Sequence, residues 1–232
     1  MNDIMTVILY YGLPIVGLLI TSYAQLSITS NYSKYKKVEA TSHQRGCDVA
    51  RRILDKHGLG NVKVEQVEGN LTDHYDPKTK VVRLSTDIYA DSSIASVSVA
   101  AHECGHAIQD KVGYTPMRIR SALVPVVNFS TKIGYVVIAI GLAAGMLKIA
   151  TIGLILLLSM LLFQLVTLPV EFDASRRGKN ELDALQILSP NEQKGSAKML
   201  KAAAFTYVAS VLTTLAQILR LAIQIAARRQ RK

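Results

Sequence analysis

The stretch "IATIGLILLLSMLLFQLVTLP", Ile149 to Pro169, contains no charged residue. At a rise of about 1.5 Å per residue it makes a helix about 30 Å long, the thickness of a bilayer's hydrocarbon core. Composition points the same way: half of the 232 residues are hydrophobic and the mean hydropathy is +0.24, too apolar for an ordinary soluble domain of this size. Working outward, three more runs qualify as spans: Ile4 to Leu26, about Val126 to Leu147, and Ala202 to Ala227. The first has no Lys or Arg ahead of it and no small-x-small cleavage pattern, so it reads as a retained anchor. The second carries Asn128 and Lys132 and leaves only Met146 to Thr151 as a connection, which predicts a tight hairpin with the opening stretch.

The last run hides a polar stripe. Thr206, Ser210, Thr213, Gln217, Arg220, Gln224 and Arg228 recur at gaps of three and four, one face of a helix. That helix either packs its stripe against protein or lies in the membrane interface. The formal charge is +10. Between Ser27 and Ser121 acids nearly balance bases, and the excess collects in the C-terminal "RRQRK", a cluster suited to anionic headgroups. No motif supports nucleic acid as a partner. The two cysteines, Cys47 and Cys104, make no disulfide framework and read as small buried hydrophobes.

Between the first two spans the pattern changes to that of a compact α+β unit. A helix is expected from about Val38 to Lys56, closed by Gly58 and Gly60. "NVKVEQVEG" alternates as a strand, "DPKT" makes a turn and "KVVRLS" a second strand. Ala90 or Asp91 opens the next helix, with Asp91 or Ser92 as its N-cap. After the hairpin, "SPNEQ" marks another helix start.

The chemistry lies in "VAAHECGHAIQ", Val99 to Gln109. Histidines at i and i+4 share a helix face, so His102 and His106 can offer imidazole nitrogens to one metal ion. Glu103 stands beside them, where a general base towards a zinc-activated water is needed. The plainer alternative is a pair of satisfied histidines on a half-buried helix. Catalytic zinc takes three protein ligands. The remaining His43, His57 and His74 all precede the motif, and the best third ligand is Glu171 in "LPVEFDASRRG". A hairpin with two spans returns the chain to the side it left, so Glu171 and His106 fall on one face of the membrane.

"LTDHYDPKTKVVRLS", "VAAHECGHAIQD" and "LPVEFDASRRG", three separated motifs, together resemble the YugP-type neutral zinc metallopeptidases of bacterial membranes, and the likeness covers nearly the whole chain. More remotely the chain is similar to HtpX-like and CAAX-prenyl-protease-like gluzincins. The resemblance implies Zn2+ held by His102, His106 and Glu171, with Glu103 as catalytic base. It also exposes a departure. Gluzincins carry an Asp one turn after the ligand Glu to orient a metal-bound His, and this chain has Ser175 there. Ser175 keeps a hydroxyl for that task, and Asp173 is the other candidate, although on a different face of a regular helix. In "LTDHYDP", His74 and its neighbours either meet substrate or form an Asp-Pro turn with a surface histidine. Arg176 and Arg177 either pair with Asp173 or a substrate carboxylate, or are the charged end of a helix near a membrane.

The expected fold is mainly α and membrane-embedded, helical transmembrane segments carrying a small α+β zincin-like catalytic unit. Its segments are an anchor (1–26), a catalytic region (27–121), a transmembrane hairpin (122–169), a third-ligand segment (170–201) and a C-terminal helix with a basic tail (202–232). The expected function is zinc-dependent endopeptidase action at the membrane surface of a multi-pass cell-membrane protein, on a peptide or membrane-protein substrate. Two rivals stand beside it: an intramembrane zinc protease, against which the polar flanks of the motif helix argue, and a membrane scaffold with a structural metal, which would have no use for Glu103. Lys34, Lys36, Lys37, Arg118, Arg120, Arg176, Arg177 and Lys179 flank the spans on the catalytic side against Lys148 at the hairpin tip, so that side is expected in the cytoplasm. Neither composition nor pattern fixes an oligomeric state.

Overall fold

The computed structural model describes residues 3–230 in backbone and 9–229 in side chain. Among these the chain runs α1 (Asp3–Tyr35), α2 (Gly46–Lys56), β1 (Lys63–Val67), β2 (His74–Asp76), β3 (Val81–Ser85), α3 (Thr86–Ala90), α4 (Ile94–Lys111), α5 (Thr115–Ala143), α6 (Leu147–Ala184) and α7 (Pro190–Gln230). It divides into two compact units. The first comprises Met1–Gln25, Ile119–Leu168 and Phe205–Lys232; the second comprises Leu26–Arg118 and Pro169–Ala204.

The first unit is helical. Helices α1, α5, α6 and α7 are each long and apolar enough to cross a membrane, with little of their apolar surface buried inside the protein. Leu18, Phe129 and Ile155 are 66%, 64% and 60% exposed, an outward apolar surface that water would not tolerate on this scale and lipid covers. In lipid, helices associate through close packing of small residues. In the α5–α6 hairpin a Cβ added at Gly153 would lie 2.7 Å from the Gly134 carbonyl oxygen. The connection is shorter than expected, Ala144 to Met146, because α6 already starts at Leu147 and Gly145 takes φ +68° to close the turn. The stripe on α7 packs against protein: the Thr213 hydroxyl lies 3.0 Å from that of Thr21 on α1, and Arg228 donates to the Leu142 carbonyl at 2.5 Å. Of the C-terminal basic cluster, Arg231 and Lys232 lie outside the described residues.

The second unit is α+β. Its three-stranded sheet has the order β1-β3-β2, with β1 parallel and β2 antiparallel to β3, so that β2 forms an edge. Val49, Ala50, Ile53 and Leu54 form one buried face of α2 and share a core with Leu84, Val97, Ala101, Cys104, Leu182 and Met199. Residues before Gly46 do not continue α2 as the sequence pattern suggested. Glu39 bridges to Ser93, and Ala40 donates to the Ser92 carbonyl at 2.9 Å, which holds the segment extended. The motif helix α4 likewise starts later than expected. The short helix α3 occupies Thr86–Ala90, and Ser93 caps α4, its hydroxyl accepting from the Ser96 N–H at 3.1 Å. At the other predicted start, Glu192 accepts from the Ser189 N–H at 2.7 Å, a capping box that opens α7.

Helices α4 and α6 cross with their backbones in contact. An added Cβ at Gly105 would collide with the Ala174 carbonyl, and one at Gly178 would sit 2.6 Å from the Ala101 carbonyl oxygen. Neither obstacle is a side chain that can turn away. Gly105→Ala and Gly178→Ala should therefore each lower stability by at least about 1–3 kcal/mol, the usual cost of overpacking. Gly12→Ala, whose methyl meets nothing within 4 Å, should not. Thermal unfolding of the three variants in detergent checks this; equal midpoints would mean that the crossing is not tight.

Candidate metal centre

The α4–α6 crossing brings together residues 65 positions apart in sequence. His102 and His106 stack edge to face on α4, ring centroids 4.8 Å apart at 83°. Glu171, one turn before Ala174 on α6, faces them: its Oε2 is 3.4 Å from His102 Nε2 and 3.7 Å from His106 Nε2. All three ligand atoms lie within 4.8 Å of one another. A tetrahedral zinc ion with bonds of about 2.0–2.1 Å holds neighbouring ligand atoms roughly 3.3 Å apart, so the donor set fits zinc in kind, and the two Glu171 distances lie near that spacing. Glu171 and His106 are buried and His102 is half-buried.

The far nitrogens of both imidazoles are also engaged. His102 Nδ1 lies 3.0 Å from the Ser175 hydroxyl, and His106 Nδ1 lies 3.0 Å from Oε1 of Gln109. Gln109 is fully buried, and its amide nitrogen donates to the Val170 carbonyl at 2.8 Å and to Asp173 Oδ2 at 3.0 Å. With both amide hydrogens directed at acceptors, the amide oxygen must face His106, which therefore donates from Nδ1 and keeps the Nε2 lone pair on the Glu171 side. Asp173 is held in turn by Arg177, Nε to Oδ2 2.6 Å, and by Arg176. Asp173 thus reaches His106 through Gln109 and does not touch an imidazole.

Glu103 is buried beside the ligands, and its carboxylate accepts from the backbone N–H of Tyr75 on β2. Burial pushes its carboxyl up to about 7, against the opposing pull of the His102 charge and the Tyr75 hydrogen bond. His74 is not brought to the cluster. Tyr75 points inward, so its strand neighbours point the other way; His74 is exposed, with Nδ1 2.8 Å from the Thr72 carbonyl oxygen. Asp76 caps the following turn through the Lys78 N–H at 2.9 Å, and Asp73 accepts from the Ser85 N–H at 2.7 Å. Arg176 is largely exposed and pairs with Asp173. Gln109 went unread in the sequence, although its place three residues after His106 puts it on the same face of α4, the one signal available.

Four membrane-length helices and a buried His-His-Glu cluster with a carboxylate beside it define a membrane-associated metalloenzyme class. The family described as "Putative neutral zinc metallopeptidase" matches residues 10–226, and the chain belongs to this family. It is 45% identical over 212 residues to the "Putative membrane protease YugP" of Bacillus subtilis (strain 168), covering 91% of this chain and 94% of that protein. No solved structure matches the chain at a significant level.

Gln109→Leu should weaken zinc binding about 10–100-fold by freeing the His106 ring, measured by competition with a chromophoric chelator; unchanged affinity would remove Gln109 from the centre. In metal-free protein, Glu103 binds its proton more tightly folded than unfolded. Its contribution is complete below about pH 4.5, the ordinary glutamate value, and is lost as pH rises through about 7. Denaturant unfolding of wild type and Glu103→Gln across pH 4 to 8 should show a falling component in wild type that the variant lacks, and parallel curves would refute it.

Proposed function

We propose that this chain is an integral-membrane zinc endopeptidase of gluzincin type. The observation that carries the reading is the convergence of His102, His106 and Glu171, with Glu103 on the same helix as the two histidines. Zinc held by these three residues would supply Lewis-acid polarisation of a peptide carbonyl and a water acidic enough to attack it near neutral pH. Glu103 takes the proton of the attacking water and passes it to the leaving amine, so the carboxyl ends the cycle as it began. Gln109 and Ser175 hold the two imidazoles in the orientation that presents Nε2. An extended peptide would align along β2, the edge strand whose Tyr75 N–H touches Glu103.

Action outside the lipid is supported by α4, which is not among the four helices apolar enough to span. The basic residues flanking the spans on the catalytic side favour the cytoplasmic face. The substrate is then a peptide segment or a membrane protein with an exposed extended stretch, and nucleic acid has no place in the reading.

Glu103→Gln should retain zinc and lose about 10²–10⁴ in kcat, because an amide cannot accept the water's proton. His102→Ala, His106→Ala and Glu171→Gln should lose most bound zinc, whereas Asp173→Asn should lose little, since it touches the centre only through Gln109. Metal analysis of purified variants with a peptide-cleavage assay decides the matter. Wild-type turnover by Glu103→Gln would remove the base from the mechanism, and a larger zinc loss at Asp173 than at Glu171 would reassign the ligand.

A further inference from the structure

Among its described residues, the membrane-spanning unit holds an arginine with no counter-ion. Of the chain's 17 Asp and Glu residues, only Asp3 belongs to this unit. Arg220 lies on α7, in the stripe that packs against α1 and α5, and stacks over the Tyr10 ring of α1 at 4.4 Å. Its Nε is buried without a hydrogen-bond partner, and it forms no ion pair among the described residues. A cation held among apolar helices is costly unless an anion meets it, so intramembrane arginines mark ligand sites.

A cavity of about 560 Å³ opens at Arg220. Leu13, Leu18 and Leu221 make its walls greasy, and Tyr135, Gln217 and Arg220 supply its polar end. The lining holds no carboxylate. Tyr135 donates to Gln217 Oε1 at 3.4 Å, which leaves the Gln217 amide nitrogen as a donor beside the guanidinium. Thr21, also in the wall, donates its hydroxyl hydrogen to the Gly17 carbonyl at 2.9 Å, and Thr213 directs its own at that carbonyl, 3.3 Å away, or at the Thr21 oxygen, 3.0 Å away. Arg228, two turns further along α7, bonds the Leu142 carbonyl next to the hairpin turn. Arg220 therefore lies about 12 Å along the helix from that end, within reach of a headgroup by a long side chain.

We propose that this groove binds one anionic phospholipid, its phosphate on the Arg220 guanidinium and one acyl chain along Leu13, Leu18 and Leu221. The charge asks for an anion and the walls ask for hydrocarbon, a combination that a free ion does not offer.

The test uses the full chain in nanodiscs of phosphatidylcholine with or without phosphatidylglycerol, with native mass spectrometry counting lipids retained through partial delipidation. Wild type should keep one phosphatidylglycerol in preference to phosphatidylcholine. Arg220→Gln should weaken that retention roughly fivefold or more, since one arginine at a headgroup is worth about that factor. The unfolding midpoint should fall in Arg220→Gln only when phosphatidylglycerol is present, because in neutral lipid the substitution merely removes an unpaired charge. Leu13→Trp, which fills the groove and leaves Arg220 in place, should also lose the retained lipid and serves if Arg220→Gln does not fold. Equal retention by wild type and both variants would overturn the proposal. So would an equal midpoint loss in both lipids, which would make Arg220 only a partner for Tyr10. Stabilisation by inorganic phosphate alone would point to a bare anion site, and a peptide retained in place of lipid would assign the groove to a different ligand; either result defeats the lipid assignment.

Discussion

The candidate centre depends on backbone contact between α4 and α6. Gly105 meets the Ala174 carbonyl and Gly178 meets that of Ala101, and any side chain at either glycine would push the helices apart. Ligand spacing tolerates little of that. The Glu171 oxygen is 3.4 and 3.7 Å from the two imidazole nitrogens, and a shift of one helix by a methyl radius would leave a zinc ion with two ligands. Two positions without side chains thus hold a three-residue site in register.

Around that contact a buried polar network removes rotational freedom from the imidazoles. The network is asymmetric. His102 relies on a single hydroxyl from Ser175, whereas His106 is held by an amide that is itself held at two further points. The carboxylate at the far end, Asp173, is neutralised by Arg176 and Arg177, so its charge reaches the centre only through the Gln109 dipole. Burying an amide with every hydrogen bond satisfied is stable, and leaving one unsatisfied costs about 1–3 kcal/mol, which ties the orientation of His106 to the stability of the helix pair.

The two units distribute charge in opposite ways. In the α+β unit carboxylates and cations pair repeatedly, as Lys56 does with Glu181 at 2.8 Å. In the membrane-spanning unit the acids are all but missing, while Arg220 lies among apolar helices and Arg228 is exposed near the end of α7. Arg228 finds a carbonyl at the hairpin turn, and Arg220 finds the face of Tyr10. The first arrangement suits a surface in water; the second suits one completed by lipid.

Local pattern alone was enough for much of this. Apolar runs of membrane length, the alternation in β1 and β3, the hairpin and the His102–His106 face are short-range features, because helix and strand periods act between near neighbours in the chain. Glu171 was legible for a related reason: a hairpin returns a chain to the side it left. What the chain could not disclose locally was decided by tertiary contact. Gln109 reads as one more polar residue until α6 supplies the Val170 carbonyl and Asp173 that orient it. The segment before Gly46 reads as helix until the Ser92–Ile94 backbone offers it bridge partners. The stripe on α7 fits an interfacial helix equally well until α1 and α5 bring Thr21, Tyr10 and Leu142 to it. Each of these outcomes turns on a hydrogen bond or ring contact with a residue far away in the chain, and a side chain's own periodicity does not say which partner will arrive.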